Sequence, residues 1–127
     1  MTRSSEARKI ERTDALNQLI IDSISDTKGK QIIKLDLTEL DDAPTDYFIV
    51  CQGDSSTQIR AIAENIRLKV KEATGEHPAH YEGHGNARWI CIDYFDTVVH
   101  VFYPETRAFY ALEELWSDAM VTEYDHL

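Results

Sequence analysis

Residues 47–58 constrain the fold more than any other part of this chain. Tyr47 to Cys51 is an unbroken apolar run of strand length, the pattern of a strand covered on both faces. Gly53-Asp54-Ser55-Ser56-Thr57-Gln58 follows at once. Ser55 is placed to cap a helix, with Gln58 three residues on to reach back to the capping residue's backbone. A buried strand feeding directly into a capped helix demands a layer on each side of the sheet. That is an α/β arrangement.

The rest of the chain repeats the alternation. Thr13 or Asp14 can open a first helix, with Leu16, Leu19, Ile20 and Ile24 on one stripe and Gly29 to end it. Gln31 to Leu37 alternates Ile33, Leu35 and Leu37 with Lys34 and Asp36, a half-buried strand broken by Asp41, Asp42 and Pro44. After Ser55 the second helix shows Ile59, Ile62, Ala63, Ile66, Val70 and Ala73 on one face, and Gly75 ends it. A short edge strand is expected near residues 79–82. Arg88–Tyr94 and Thr97–Tyr103 then form a hairpin about Phe95-Asp96. Pro104 starts a last helix with Phe109, Leu112 and Trp116 on its inner face. The expected fold is a mixed β-sheet flanked by helices.

The boundaries follow from where the patterns stop. Residues 1–12 are polar, mixed in charge and read as a flexible segment, with no apolar leader behind them. Residues 13–118 make one domain, and residues 119–127 read as an acidic, frayed tail. Glu105–Leu127 holds six acids against one base, half of the net charge of −10. So acidic a surface repels phosphate backbones and disfavours direct nucleic-acid binding. It suits a basic partner, or serves solubility alone, and composition does not separate the two. No stretch approaches the length of a membrane span. Cys51 and Cys91 both sit in strands and read as small buried hydrophobes rather than a disulfide, in a chain expected in the cytosol.

The search for chemistry is unproductive. His77, His80 and His84 lie in a loop with Pro78, Gly83 and Gly85 and lack a fourth ligand or fixed scaffold, so no metal is expected. The Gly53–Ser56 turn has neither the glycines nor the Gly-Lys-Ser/Thr ending of a phosphate loop. Asp93 and Asp96 flank a turn without the third acid that two-metal sites usually draw on. No serine or cysteine stands in a nucleophile elbow. Neither a catalytic residue nor a cofactor is expected. The hairpin is unusual, however. Period-two alternation sends Trp89, Cys91 and Asp93 one way and Ile90, Ile92 and Tyr94 the other, while Val99 and Val101 alternate with His100 and Phe102. Its Trp, Tyr, His and Asp fit either core aromatics or a protein-binding hot spot.

Several separate segments, in order, resemble the ribosomal silencing factor family, also called Iojap-like. They are Thr45–Cys51, Ser55–Gln58 with Ala61-Ile62-Ala63, Glu82-Gly83, Ala87–Ile90, Asp93–Phe102 and Leu112–Trp116. The resemblance spans about residues 13–118. It implies a nucleotidyltransferase-like mixed sheet without that fold's catalytic residues. It also implies binding to ribosomal protein fourteen of the large subunit, which blocks small-subunit joining and damps translation when nutrients are scarce, and a homodimer when free. An assembly factor for the large subunit would use the same surface. The positions carried over to that surface are Trp89, Asp93, Tyr94, Asp96 and His100. One departure stands out: many relatives read Asp-Tyr-Gly-Asp at the hairpin turn, and here Phe95 replaces the glycine. If the turn needs a positive φ, a phenylalanine there is strained.

Overall fold

The apolar run of residues 47–51 lies at the centre of the sheet, where its flanking strands bury it. A computed structural model describes residues 3–124. Its elements are α1 (Arg3–Asp26), β1 (Lys30–Asp36), β2 (Tyr47–Gln52), α2 (Ser56–Thr74), β3 (His80–Glu82), β4 (Trp89–Asp93), β5 (Thr97–Phe102), α3 (Pro104–Tyr110), a single helical turn α4 (Leu112–Leu115) and β6 (Met120–Tyr124). Six strands form one sheet in the order β3-β4-β5-β2-β1-β6. Only β2 and β5 run parallel, with Tyr47 opposite Thr97 and Gln52 opposite Phe102. The other ladders are antiparallel, so the sheet is mixed.

Two cores lie on opposite faces of that sheet. On one face α1 and α2 bury Ile20, Ile24, Ile59, Ile62 and Ile66 against Ile49, Cys51, Ile90, Ile92, Val99 and Val101. On the other, Ile33, Leu35, Leu37, Phe48, Val50 and Phe102 pack under Leu40, Ala43, Leu112, Trp116 and Ala119. Burial pushes the Cys51 thiol up to about 12 and the half-buried Cys91 thiol to about 11. Both are free thiols.

The capped helix forms as its sequence specifies. Ser55 Oγ accepts the Gln58 backbone N–H at 3.1 Å, and Gly75, at φ 78°, returns its N–H to the Lys71 carbonyl. Gln58 does not reach back to the Ser55 backbone as the capping pattern predicts. Its Oε1 accepts the Asp54 N–H at 2.7 Å and its Nε2 donates to the Lys28 carbonyl at 3.0 Å, which ties α2 to the end of α1.

Four expectations need correction. The first helix begins at Arg3 rather than near Thr13, so residues 3–12 are helical. Glu6, Ala7, Arg8, Lys9, Glu11 and Arg12 are good helix formers without an intervening Gly or Pro. They form an exposed helix that has no apolar stripe to reveal it. Gly29 does not supply the left-handed residue that ends α1; Lys28 does, at φ 67°. Residues 120–124 are no frayed tail but an edge strand, pairing Met120 with Asp36 and Tyr124 with Ile32. Its residues are exposed except for Tyr124, which is why alternation is invisible there; residues 125–127 lie outside the described residues. Finally, Phe109 is 80% exposed, not inward. The helix breaks at Ala111, φ 47°, and the break turns Leu112 and Trp116 onto the sheet in its place.

Candidate docking surface

The β4–β5 hairpin presents its two faces very differently. Ile90 and Ile92, with Val99 and Val101 across the ladder, are wholly buried beneath the helices. The opposite face starts with Trp89, whose ring stacks on Phe102 at 4.9 Å and lies 4.6 Å from Tyr110. Further along the same face of β4, Cys91 and Asp93 are half-buried and belong to neither core. The cover supplied by Leu112–Ala119 therefore stops short of this end of the sheet.

His100 sits beneath that open area. It is 6% exposed, edge-on to Phe48 with ring centres 4.6 Å apart, and it accepts the Trp89 indole N–H on Nδ1 at 3.0 Å. Its Nε2 is buried with no partner among the described residues. Burial among aromatic rings lowers its pKa to about 4, so the imidazole is neutral. With Nδ1 accepting, the ring proton resides on Nε2 and forms a buried donor unused among the described residues.

The acids are placed differently. Asp93 Oδ1 accepts the Phe95 N–H at 2.8 Å and so braces the turn. Asp96 lies at the turn itself, with Lys9 Nζ 3.8 Å from its carboxylate and 3.8 Å from that of Asp46. Tyr94 departs from the expected surface. It is 5% exposed, belongs to the helix-side core, and points away from Trp89. Its hydroxyl is buried without a partner among the described residues, and burial pushes its pKa up to about 12. The structure thus joins Trp89 to His100, sets Asp93 on the same face, leaves Asp96 at the hairpin end, and assigns Tyr94 to the core. Tyr110 is a surface residue that sequence reading missed. It is 49% exposed and, with Trp89, Arg88, Glu105 and Phe109, lines an open recess of about 420 Å³. The neighbouring Phe109 was read as facing inward, and Tyr110 carried no reading of its own.

The other candidates are occupied by their own side chains. Asp54 pairs with Lys30 at 2.6 Å and the Gln58 amide fills the turn over Gly53–Ser55. His84 stacks on Tyr81 at 5.0 Å, and among the described residues no three His, Cys, Asp or Glu side chains converge as a metal would need.

Comparison with known proteins agrees with the fold. Residues 10–127 match the family model described as "Ribosomal silencing factor during starvation". A Halalkalibacterium halodurans protein named "Ribosomal silencing factor RsfS" is 38% identical over 110 residues, covering 87% of this chain and 92% of that one. A crystal structure of a Chromobacterium violaceum protein superposes with a TM-score of 0.77 at 38% identity, covering 82% of this chain and 85% of the other. More distantly, a Mus musculus protein named "Mitochondrial assembly of ribosomal large subunit protein 1" is 32% identical over 75 residues, 58% of this chain and 33% of that protein.

Proposed function

From the premise that this chain belongs to the ribosomal silencing factor family, we propose that it docks on the large ribosomal subunit and acts by occupancy alone. The contact is ribosomal protein fourteen of that subunit, at the face where the small subunit joins. Occupying it blocks joining and represses translation under nutrient limitation. The protein works in the cytoplasm and is a homodimer when free.

One observation carries this reading: the open half of the sheet face, where the partly exposed Trp89 holds His100 through Nδ1 and the buried His100 Nε2–H has no partner among the described residues. A buried donor without a partner costs free energy in the isolated chain, and a docking partner's acceptor restores it. An amphipathic Trp at the centre of such a patch is the typical anchor of a protein interface. Asp93 and Asp96 border the patch, and the chain's net charge of −10 favours a basic protein over RNA. Tyr94 supports the hairpin from behind.

A second reading has its own observation, the name of the mouse relative, which speaks of assembly of the large subunit. One experiment separates the two. The purified protein is sedimented with separated ribosomal subunits, and the small subunit is then added. Travel with the large subunit and suppressed joining supports silencing. Binding that permits joining, with enrichment on immature particles, favours assembly. Binding to neither subunit ends both.

A further inference from the structure

Phe95 takes a backbone conformation that its side chain does not repay within this chain. Its φ is 73°, in the left-handed region that bulky residues avoid. Yet the ring is 76% exposed, belongs to neither core, and stacks on no aromatic ring of the described residues. The other positive-φ residues differ. Ala87 is fully buried, Lys28 ends α1 and Ala111 ends α3, and the Gln31 carbonyl is held by Arg107.

The strained turn is nevertheless held from several directions. Asp93 Oδ1 takes the Phe95 N–H at 2.8 Å, and the Thr45 hydroxyl donates to the Phe95 carbonyl. The Asp96 N–H closes on the Tyr94 carbonyl at 3.0 Å, and the Asp96 carbonyl accepts the Tyr47 N–H at 3.0 Å. Such bracing fixes the backbone that carries an exposed aromatic before anything binds it, and so removes the backbone share of the entropy cost of ordering it later. Three carboxylates lie at or beside the turn: Asp93 accepts the Phe95 N–H, Asp96 follows Phe95 in the chain, and Asp46 shares Lys9 with Asp96 at 3.8 Å.

We infer that Phe95 is a docking anchor, an apolar knob on a braced turn with an acidic collar, that inserts into an apolar pocket rimmed by lysine or arginine on a protein of the large ribosomal subunit. This rests on the large-subunit reading and adds a second contact, at the opposite end of β4 from Trp89. The collar's charge excludes phosphate backbone as the occupant and matches a basic rim. Local strain retained without internal benefit is a mark of sites selected for binding.

The test compares the wild-type chain with Phe95→Gly and Phe95→Asn, two residues that tolerate a left-handed turn. Large-subunit affinity and melting temperature are measured for each, with self-association followed by light scattering. The expected result is a melting temperature equal to or above wild type in both variants, with affinity down about tenfold or more. Affinity within twofold of wild type overturns the anchor while leaving large-subunit docking intact. A melting temperature lowered by several degrees would show that the ring packs within its own chain, and also overturns it. So does lost self-association with unchanged subunit binding, which would make the occupant a second copy. A wild-type chain that binds neither subunit sinks the anchor together with the docking it depends on.

Discussion

Trp89 and His100 share a single proton geometry: the indole Nε1–H donates to Nδ1 of His100 at 3.0 Å and holds the imidazole in its neutral, Nε2-protonated form. The folded-state pKa near 4 lies below the ordinary 6.5. Below pH 6.5 the unfolded chain therefore binds a proton that the folded chain refuses. Stability from this residue is complete above pH 6.5 and is lost as pH falls toward 4. Between pH 7 and pH 5 it amounts to about 2 kcal/mol. Urea denaturation at the two pH values should show that loss, and His100→Gln should remove most of the difference. An unchanged slope in the variant would assign the acid sensitivity elsewhere.

Trp89→Ala and Tyr94→Phe should separate the docking face from the core behind it. Removing the Trp89 ring takes away the proposed interface anchor, and on that proposal should weaken large-subunit binding by about tenfold or more. Tyr94→Phe deletes only a buried hydroxyl with no partner among the described residues. Its binding should match wild type, and its stability should be unchanged or higher by up to about 1 kcal/mol. Weakened binding by Tyr94→Phe in a fully folded protein would return Tyr94 to the surface, against its burial.

Neighbouring residues at the end of α1 should respond with opposite signs. Gly29 leaves no room for a side chain, since an added Cβ would stand 2.3 Å from Ile24 Cγ2 in the core. Gly29→Ala should cost about 1–3 kcal/mol. Lys28, at φ 67°, bears the left-handed strain instead, and Lys28→Gly should stabilise by up to about 1 kcal/mol. Thermal melts of the two variants decide the matter, and the same sign for both would contradict the geometry.

These two residues also show how far the sequence could be read. The end of α1 was legible from its glycine, but not which residue would turn left-handed, because that depends on Ile24 pressing against Gly29. The Ser55 cap was legible to the residue, since local spacing alone sets it. Gln58 reached Asp54 rather than Ser55, and its second arm to Lys28 was a tertiary contact with no local signal. Residues 5–12 and 120–123 were missed for one reason: nearly all are exposed, so burial printed no period on them. For Tyr94 the alternation with Ile90 and Ile92 already pointed to the helix face. The resemblance set it beside Trp89, and the alternation proved the better guide.

Arg107 should be the most costly surface-proximal residue to replace, for reasons that its position in a seven-residue helix conceals. Its side chain is 11% exposed, and its guanidinium meets Glu113 Oε2 at 2.8–2.9 Å, the Gln31 carbonyl at 2.8 Å and Gln52 Oε1 at 3.2 Å. One planar fork thus joins α3, α4, β1 and β2. It holds β1 where the ladder shifts register between Lys30 and Ile33 and Gln31 takes φ 53°. An ammonium group cannot span those directions at once, so Arg107→Lys should cost about 2–3 kcal/mol and Arg107→Ala about 3–5 kcal/mol. The Lys30–Asp54 pair, half-exposed on both sides, sets the contrast: Lys30→Ala should cost no more than about 1 kcal/mol. Salt separates them further, because raising sodium chloride screens the exposed pair and leaves the shielded fork nearly untouched. Urea denaturation of the three variants at low and high salt measures both effects. If Arg107→Lys keeps wild-type stability, the fork is incidental, and the bulge in β1 must be held by the strand ladders alone.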